Sequence, residues 1–251
     1  MLCEIDGQRI LSKLDGFFKN NDYEGARSHL LYWLGEAERA NNHSIVLLLS
    51  NELMGLCRKL GERENATSFA EKALSQVQKM GIEQNVGAAT TYLNSATVYK
   101  AFGFAQKAIP LFEKARAIYE ANVKETDNRL AGLYNNMSLA LVDLKRFDDA
   151  DELYKKAIVV LEKTKGNEPE QAITYLNMAT AAEAQFGLEE GCEQIDLLLK
   201  KAMELLDGSE DKQSGNYAFV CEKCATVFGY YGYFDYENQL KGRYKAIYEG
   251  N

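Results

Sequence analysis

A small residue returns along this chain at a constant interval, and that recurrence limits what the chain can fold into. The first set is spaced 42 residues apart, at Ala66, Ala108, Ala150 and Cys192. A second set, each member preceded by lysine, keeps the same interval at Ala73, Ala115 and Ala157. Self-similarity at a fixed period predicts stacked repeats, because one unit cannot bury its apolar face alone.

Within each unit the apolar residues follow a helical period. Tyr92, Ala96 and Tyr99 lie at i, i+4 and i+7, and the run from Ala108 to Tyr119 continues the pattern. Small residues at these positions let two helix backbones approach each other. We therefore predict an all-α chain of about six helix–turn–helix units in a single domain, 1–251, with degenerate caps at both ends. The predicted units are 7–41, 42–82, 83–124, 125–166, 167–208 and 209–251.

The charge balance argues against several classes of partner. A net charge of −8 disfavours nucleic acid and anionic membrane surfaces, which both select clustered lysine and arginine. No apolar run is long enough to span a bilayer, and residues 1–6 do not resemble a signal peptide. The five scattered cysteines fit reduced thiols better than a disulfide framework. We expect a cytoplasmic protein.

Three local segments carry a family resemblance: 108–115 (AIPLFEKA), 133–140 (LYNNMSLA) and 147–154 (FDDADELY). They resemble tetratricopeptide repeats, and the 42-residue interval resembles the longer repeats of kinesin light chains. Pro110, just inside a second helix, is typical of those repeats. Two positions depart from the pattern: Lys145 replaces the usual turn glycine, and Ala70 replaces a packing aromatic residue.

The resemblance implies a right-handed α–α superhelix whose first helices line a concave groove. We expect Asn94, Asn136 and Asn177 to form a ladder along this groove. Related repeats use asparagine at this place to hold a peptide backbone. An asparagine amide both donates and accepts hydrogen bonds, so it pairs with an extended peptide of any sequence. The full set of predicted groove residues is Asn51, Glu52, Arg58, Asn94, Thr97, Lys100, Asn135, Asn136, Asp143, Asn177, Thr180 and Glu183. The alternative is that these amides bond to neighbouring helices and only brace the stack.

Other features are weak as functional signals. Cys221 and Cys224 form one isolated pair, whereas a zinc site needs about four ligands, so we interpret them as structural. No nucleophile with a base, glycine-rich phosphate loop or metal-ligand cluster is evident. We predict no enzymatic activity, no cofactor and no metal. The aromatic stretch 217–248 is interpreted as a capping helix pair, with a surface for self-association as the alternative.

The leading hypothesis is a scaffold that binds a protein or an extended peptide in its groove. Two alternatives stay open: a peptide-sensing regulator of the pheromone-receptor kind, and an assembly module that forms homodimers through the aromatic last unit.

Overall fold

The computed structural model describes residues 5–250, and the elements in this range are α-helices joined by short turns. The expectation about a signal peptide involves residues 1–4, which lie outside that range. The helices are α1 Gly7–Lys19, α2 Tyr23–Arg39, α3 His43–Lys59, α4 Arg63–Lys79, α5 Val86–Ala101, α6 Ala105–Asn122, α7 Asn128–Asp143, α8 Phe147–Glu162, α9 Glu168–Glu190, α10 Cys192–Gly208, α11 Gly215–Tyr230 and α12 Phe234–Glu249. None of them is long and apolar enough to cross a membrane.

The predicted all-α fold of six helix pairs is confirmed over the described residues. Each predicted segment contains one pair, from α1–α2 to α11–α12. Each pair except the fifth ends its first helix with a left-handed turn residue: Asn21, Gly61, Gly103, Lys145 and Gly232. After that residue a backbone bond closes the turn, as from Phe104 N–H to Tyr99 O at 2.8 Å. Lys145 adopts this conformation with φ of 59° despite its Cβ.

Short polar side chains cap the first helices. Asn42 Oδ1 accepts from Ile45 N, Asn85 Oδ1 from Ala88 N and Asp127 Oδ1 from Arg129 N. Such caps satisfy backbone donors that have no partner inside a helix. They set where α3, α5 and α7 begin, and so keep equivalent residues on equivalent faces.

The recurrent alanines lie where the two helices of a pair meet. Ala66, Ala73, Ala108, Ala115 and Ala157 are fully buried, and Ala150 is nearly so. Ala70, which replaces an aromatic residue, is also fully buried, and the partly buried Phe69 packs against the same core.

The fifth pair departs from the others at its turn. Gly187 interrupts α9 with φ of 83° and ψ of 170°, a conformation essentially restricted to glycine. Cys192, predicted as a buried small residue, is exposed, whereas Gly191 is buried. A Cβ at Gly191 would lie 2.7 Å from Gly187 O. The buried small residue of this pair is therefore Gly191, one position earlier than the 42-residue interval predicts.

The chain divides into two compact units, 1–123 and 124–251, which we call unit 1 and unit 2. In unit 1, a core of Ile10, Leu30 and Leu53 connects the first two pairs. In unit 2, Leu199, Phe228 and Leu240 belong to a core shared by α9–α12. The assignment of all six pairs to a single solenoid domain stays a prediction.

Candidate functional site

A cleft of about 360 Å³ opens in unit 2 between α7, α9 and α11, the first helices of three successive pairs. We call it the unit 2 cleft. Its apolar wall includes Ala131, Ile173 and Val227. Its polar lining residues are Asn128, Asn135, Asn136, Glu170, Asn177 and Lys223. An apolar cleft with a few polar groups is the usual form of a ligand site.

Three of the predicted groove residues meet in this cleft: Asn135, Asn136 and Asn177. Asn136 Nδ2 donates to Gly132 O of its own helix at 2.8 Å. Asn135 Nδ2 reaches across to Thr174 Oγ1 on α9, also at 2.8 Å. All three residues are partly exposed.

In unit 1 the equivalent amides bond to one another. Asn94 Nδ2 on α5 donates to Asn51 Oδ1 on α3 at 3.1 Å. Asn51 Nδ2 in turn donates to Thr91 Oγ1 at 3.1 Å and to Leu47 O at 3.0 Å. These bonds join α3 to α5, which is the bracing role that the sequence left open.

The turn residues show that the asparagines form two rows rather than one ladder. Positive-φ residues near the ends of the first helices lie at 61, 103, 145 and 187, and ten residues before each of them are Asn51, Leu93, Asn135 and Asn177. Glu52, Asn94, Asn136 and Met178 lie nine residues before the same positive-φ residues. Asn177 is therefore equivalent to Asn135, not to Asn136 as the sequence interpretation assumed.

The remaining predicted groove residues are scattered. Thr97 and Thr180 hydroxyls donate back to Leu93 O and Leu176 O of their own helices. Arg58, Lys100 and Asp143 lie near the ends of α3, α5 and α7, and none of the three lines the unit 2 cleft.

Glu52 lies partly buried on α3, and its environment disfavours charge. Burial, with a smaller contribution from the nearby Asp15 carboxylate, raises the pKa of Glu52 above its usual value of 4.5.

Glu183 is held by two tyrosines of the last pair. Tyr230 Oη donates to Glu183 Oε1 at 2.5 Å, and Tyr231 Oη donates to Glu183 Oε2 at 2.7 Å. The hydrogen bond to Glu183 raises the pKa of Tyr230. Burial, and to a lesser extent its own hydrogen bond to Glu183, raises the pKa of Tyr231. A more open cleft of about 600 Å³ lies here between α9 and α11.

The aromatic C-terminal stretch forms a packed helix pair with an exposed remainder. Tyr217, Phe228 and Tyr236 are buried. Tyr236 Oη donates to Asp207 Oδ1 at 2.9 Å, and Arg243 Nη1 lies 2.7 Å from the same oxygen. These contacts fit the capping interpretation.

Sequence reasoning missed Glu170, Asn128 and Lys223 as lining residues. Glu170 lies seven residues before Asn177, and Asn128 lies eight before Asn136, so each shares a helix face with a predicted residue. Lys223 lies nine residues before the turn residue Gly232, in the row of Asn136. A search by helical face and turn register would have found all three.

The cysteine pair lies inside α11. Cys221 and Cys224 are buried, and burial raises the pKa of both thiols, which makes them poor nucleophiles. Among residues 5–250, no group of three or more histidine, cysteine, aspartate or glutamate side chains is arranged to hold a metal ion.

Comparison with known families decides the identity of the helix pairs. The tetratricopeptide repeat family matches residues 44–121 and again 130–168. The chain is a tetratricopeptide repeat protein. The matches cover α3–α8, and α1–α2 and α9–α12 lie outside them.

The relatives of this tetratricopeptide repeat protein include kinesin-light-chain proteins. Protein KINESIN LIGHT CHAIN-RELATED 2 of Arabidopsis thaliana is 25% identical over 125 residues, covering 48% of this chain. The match spans 18% of that relative's length, so the chain corresponds to less than a fifth of it.

Solved structures of similar fold support the helix-pair architecture. A putative kinesin light chain from Podosopora anserina with nearly identical TPR-like repeats has a TM-score of 0.55 at 17% identity, covering 80% of this chain and 94% of its own. BtubC (BKLC) from P. vanneervenii has a TM-score of 0.67 at 20% identity, covering 81% and 82%. These likenesses establish the fold alone.

Proposed function

We propose that this tetratricopeptide repeat protein is a non-catalytic scaffold that binds an extended peptide or protein segment in the unit 2 cleft. The observation that carries the proposal is the convergence of Asn135, Asn136 and Asn177 on one cleft lined by three first helices. Asn136 and Asn177 present amide groups at a cleft with apolar walls, and amides pair with a peptide backbone without regard to side chains. The cleft volume falls within the range of about 300–1,000 Å³ found for ligand sites.

Net charge and cysteine chemistry support the class of partner and the location that belong to this proposal. The net charge of −8 favours protein over nucleic acid or anionic membrane as partner. Cys57, Cys192, Cys221 and Cys224 are free thiols, which supports a cytoplasmic location. No arrangement in the described residues suggests a catalytic step.

A positional-scanning peptide library on a solid support tests the proposal. The tightest peptide is resynthesised with a fluorophore, and its affinity is measured by anisotropy. We expect Asn136→Ala/Asn177→Ala to weaken binding about tenfold or more, because each lost amide bond is worth roughly 1 kcal/mol.

Asn94→Ala in unit 1 is the matched control, since it removes an amide that bonds to Asn51. Binding should then stay within about twofold of wild type. Equal loss in both variants, or no loss in the double variant, would contradict a role for the unit 2 cleft.

A second candidate function is self-association through the last helix pair. Tyr230, Phe234 and Tyr248 are 65%, 64% and 53% exposed, and tyrosine is enriched in interfaces. Sedimentation velocity of wild type and Phe234→Asp would test it: a dimer that dissociates in the variant supports it, and a monomeric wild type contradicts it.

A further inference from the structure

Two residues on the lining of the unit 2 cleft carry buried acceptor atoms with no hydrogen-bond partner among the described residues. These atoms are Asn135 Oδ1 on α7 and Glu170 Oε2 on α9, and both residues line the cleft. Buried polar atoms are normally paired, because an unpaired one loses its bond to water without compensation. The two orphaned acceptors therefore indicate a donor that the chain itself does not supply.

The orientation of the Asn135 amide follows from its neighbour. Thr174 Oγ1 donates its single proton to Glu170 O at 2.9 Å. That hydroxyl can only accept from Asn135, whose Nδ2 lies 2.8 Å away. The carbonyl oxygen of Asn135 is thus the free end of the amide, and only a donor can satisfy it.

Glu170 is half satisfied in the same way. Its Oε1 accepts from Asn216 Nδ2 at 2.8 Å, which leaves Oε2 unpaired. A cationic donor adds charge attraction to its hydrogen bond with a carboxylate oxygen, which a neutral donor does not. The missing group at this position is best matched by a cation.

The charge around α9 points the same way. Residues 166–199 include seven acidic residues and no lysine, arginine or histidine. Lys223 is the one basic residue lining the cleft, and its Nζ lies 4.4 Å from the centre of the Phe219 ring on its own helix. Of the seven acidic residues Glu170 lines the cleft, and the others add negative charge along the same stretch of chain, which attracts cationic ligands.

We propose that the unit 2 cleft selects a segment with a lysine or arginine side chain, which donates to Asn135 Oδ1 and Glu170 Oε2. The methylene stem of that side chain lies along the apolar wall of Ala131 and Ile173, as long cationic side chains commonly do. This inference rests on the proposed peptide-binding function and adds the chemistry of its ligand.

The experiment uses the same peptide library with the full chain. The tightest peptide is compared with forms in which each lysine becomes norleucine and each arginine becomes citrulline, one position at a time. We expect one position at which neutralisation weakens binding about tenfold, as for loss of a charge-assisted hydrogen bond. In Glu170→Gln that preference should fall to about twofold or less.

Glu189→Gln is the matched control, because it removes the same charge from an exposed site that does not line the cleft. It should keep the preference for the basic peptide. A second readout needs no variant: raising salt from about 0.05 M to about 0.5 M should weaken the basic peptide more than its neutral form.

The outcomes separate the two proposals. Equal affinity for basic and neutral peptides at every position, or equal effects of the two glutamate variants, overturns the inference and leaves peptide binding standing. A library in which no peptide binds the wild-type chain overturns the proposed function and this inference with it.

Discussion

The same side chain plays different parts in the two units. In unit 1, Asn51 bonds to both Asn94 and Thr91, and these hydrogen bonds join α3 to α5. In unit 2, Asn136 bonds only within its own turn, and Asn135 keeps an unpaired oxygen beside a cleft. Asn135 joins α7 to α9 through Thr174 as Asn51 joins α3 to α5 through Thr91. The two units therefore differ at the neighbouring position, where Asn94 bonds to Asn51 and Asn136 lines a cleft.

The largest expected effect concerns the cores of the two units. Leu30→Ala in unit 1 and Phe228→Ala in unit 2 each remove a fully buried side chain. We expect each to lower the free energy of unfolding by about 2–5 kcal/mol, through lost burial and a residual cavity. Hydrogen exchange should accelerate mainly in the unit that carries the substitution, because repeats depend mostly on their neighbours. Equal acceleration throughout the chain would contradict two units of separate stability.

The second prediction tests the bracing amide against the cleft amide. Asn51→Ala removes hydrogen bonds between α3 and α5 and leaves Asn94 Nδ2 without its acceptor. It should therefore lower the free energy of unfolding by about 1–2 kcal/mol. Asn136→Ala should cost about 0.5 kcal/mol or less, as for a surface substitution. Urea unfolding midpoints decide between them. If Asn136→Ala proves as costly as Asn51→Ala, the difference drawn between the units is wrong.

The third prediction compares equivalent turns. Lys145 in unit 2 holds a left-handed conformation that Gly103 holds in unit 1. Lys145→Gly should raise the free energy of unfolding by about 0.5–1 kcal/mol, and Gly103→Ala should lower it by a similar amount. Thermal unfolding followed by circular dichroism measures both. A Lys145→Gly variant less stable than wild type would show that the lysine side chain makes a compensating contact.

The smallest effect concerns Glu52, which occupies in unit 1 the register position of Asn136. Its raised pKa means that the folded protein binds the proton more tightly than the unfolded chain. The stability from the protonated form is complete below the unfolded pKa and is lost as pH rises through the folded pKa. Glu52→Gln should therefore be more stable than wild type at neutral pH, and the gain should vanish as pH falls below 4.5. A gain that is the same at every pH would point to packing instead.

The helix pairs could be predicted because their determinants are local and periodic. Buried alanines at 108, 115 and 157 repeat with the turn, so counting along the sequence places them correctly. The fifth pair breaks that counting: Gly187 interrupts the helix, and the buried small residue is Gly191 instead of Cys192. A glycine at position 187 does not by itself predict a ψ of 170°.

The sequence allowed the types of residue lining the candidate site to be predicted, but not the residues to which their side chains bond. Asparagines on first helices identified Asn135, Asn136 and Asn177 as lining residues. Whether an amide bonds to its neighbour depends on side chains about 40 residues away, such as Thr91 for Asn51 and Thr174 for Asn135. Glu183 shows the same limit, because its tyrosine partners follow it by 47 and 48 residues.

The absence of basic residues between 166 and 199 has a practical consequence for mapping this protein. Trypsin cuts after lysine and arginine, so residues 166–200 leave the digest as one long fragment that includes Glu170, Asn177 and Glu183. Amine-reactive cross-linkers find no lysine in that span before its last residue. Footprinting of residues 166–200 therefore calls for carboxylate-directed reagents and a protease such as Glu-C that cleaves after glutamate.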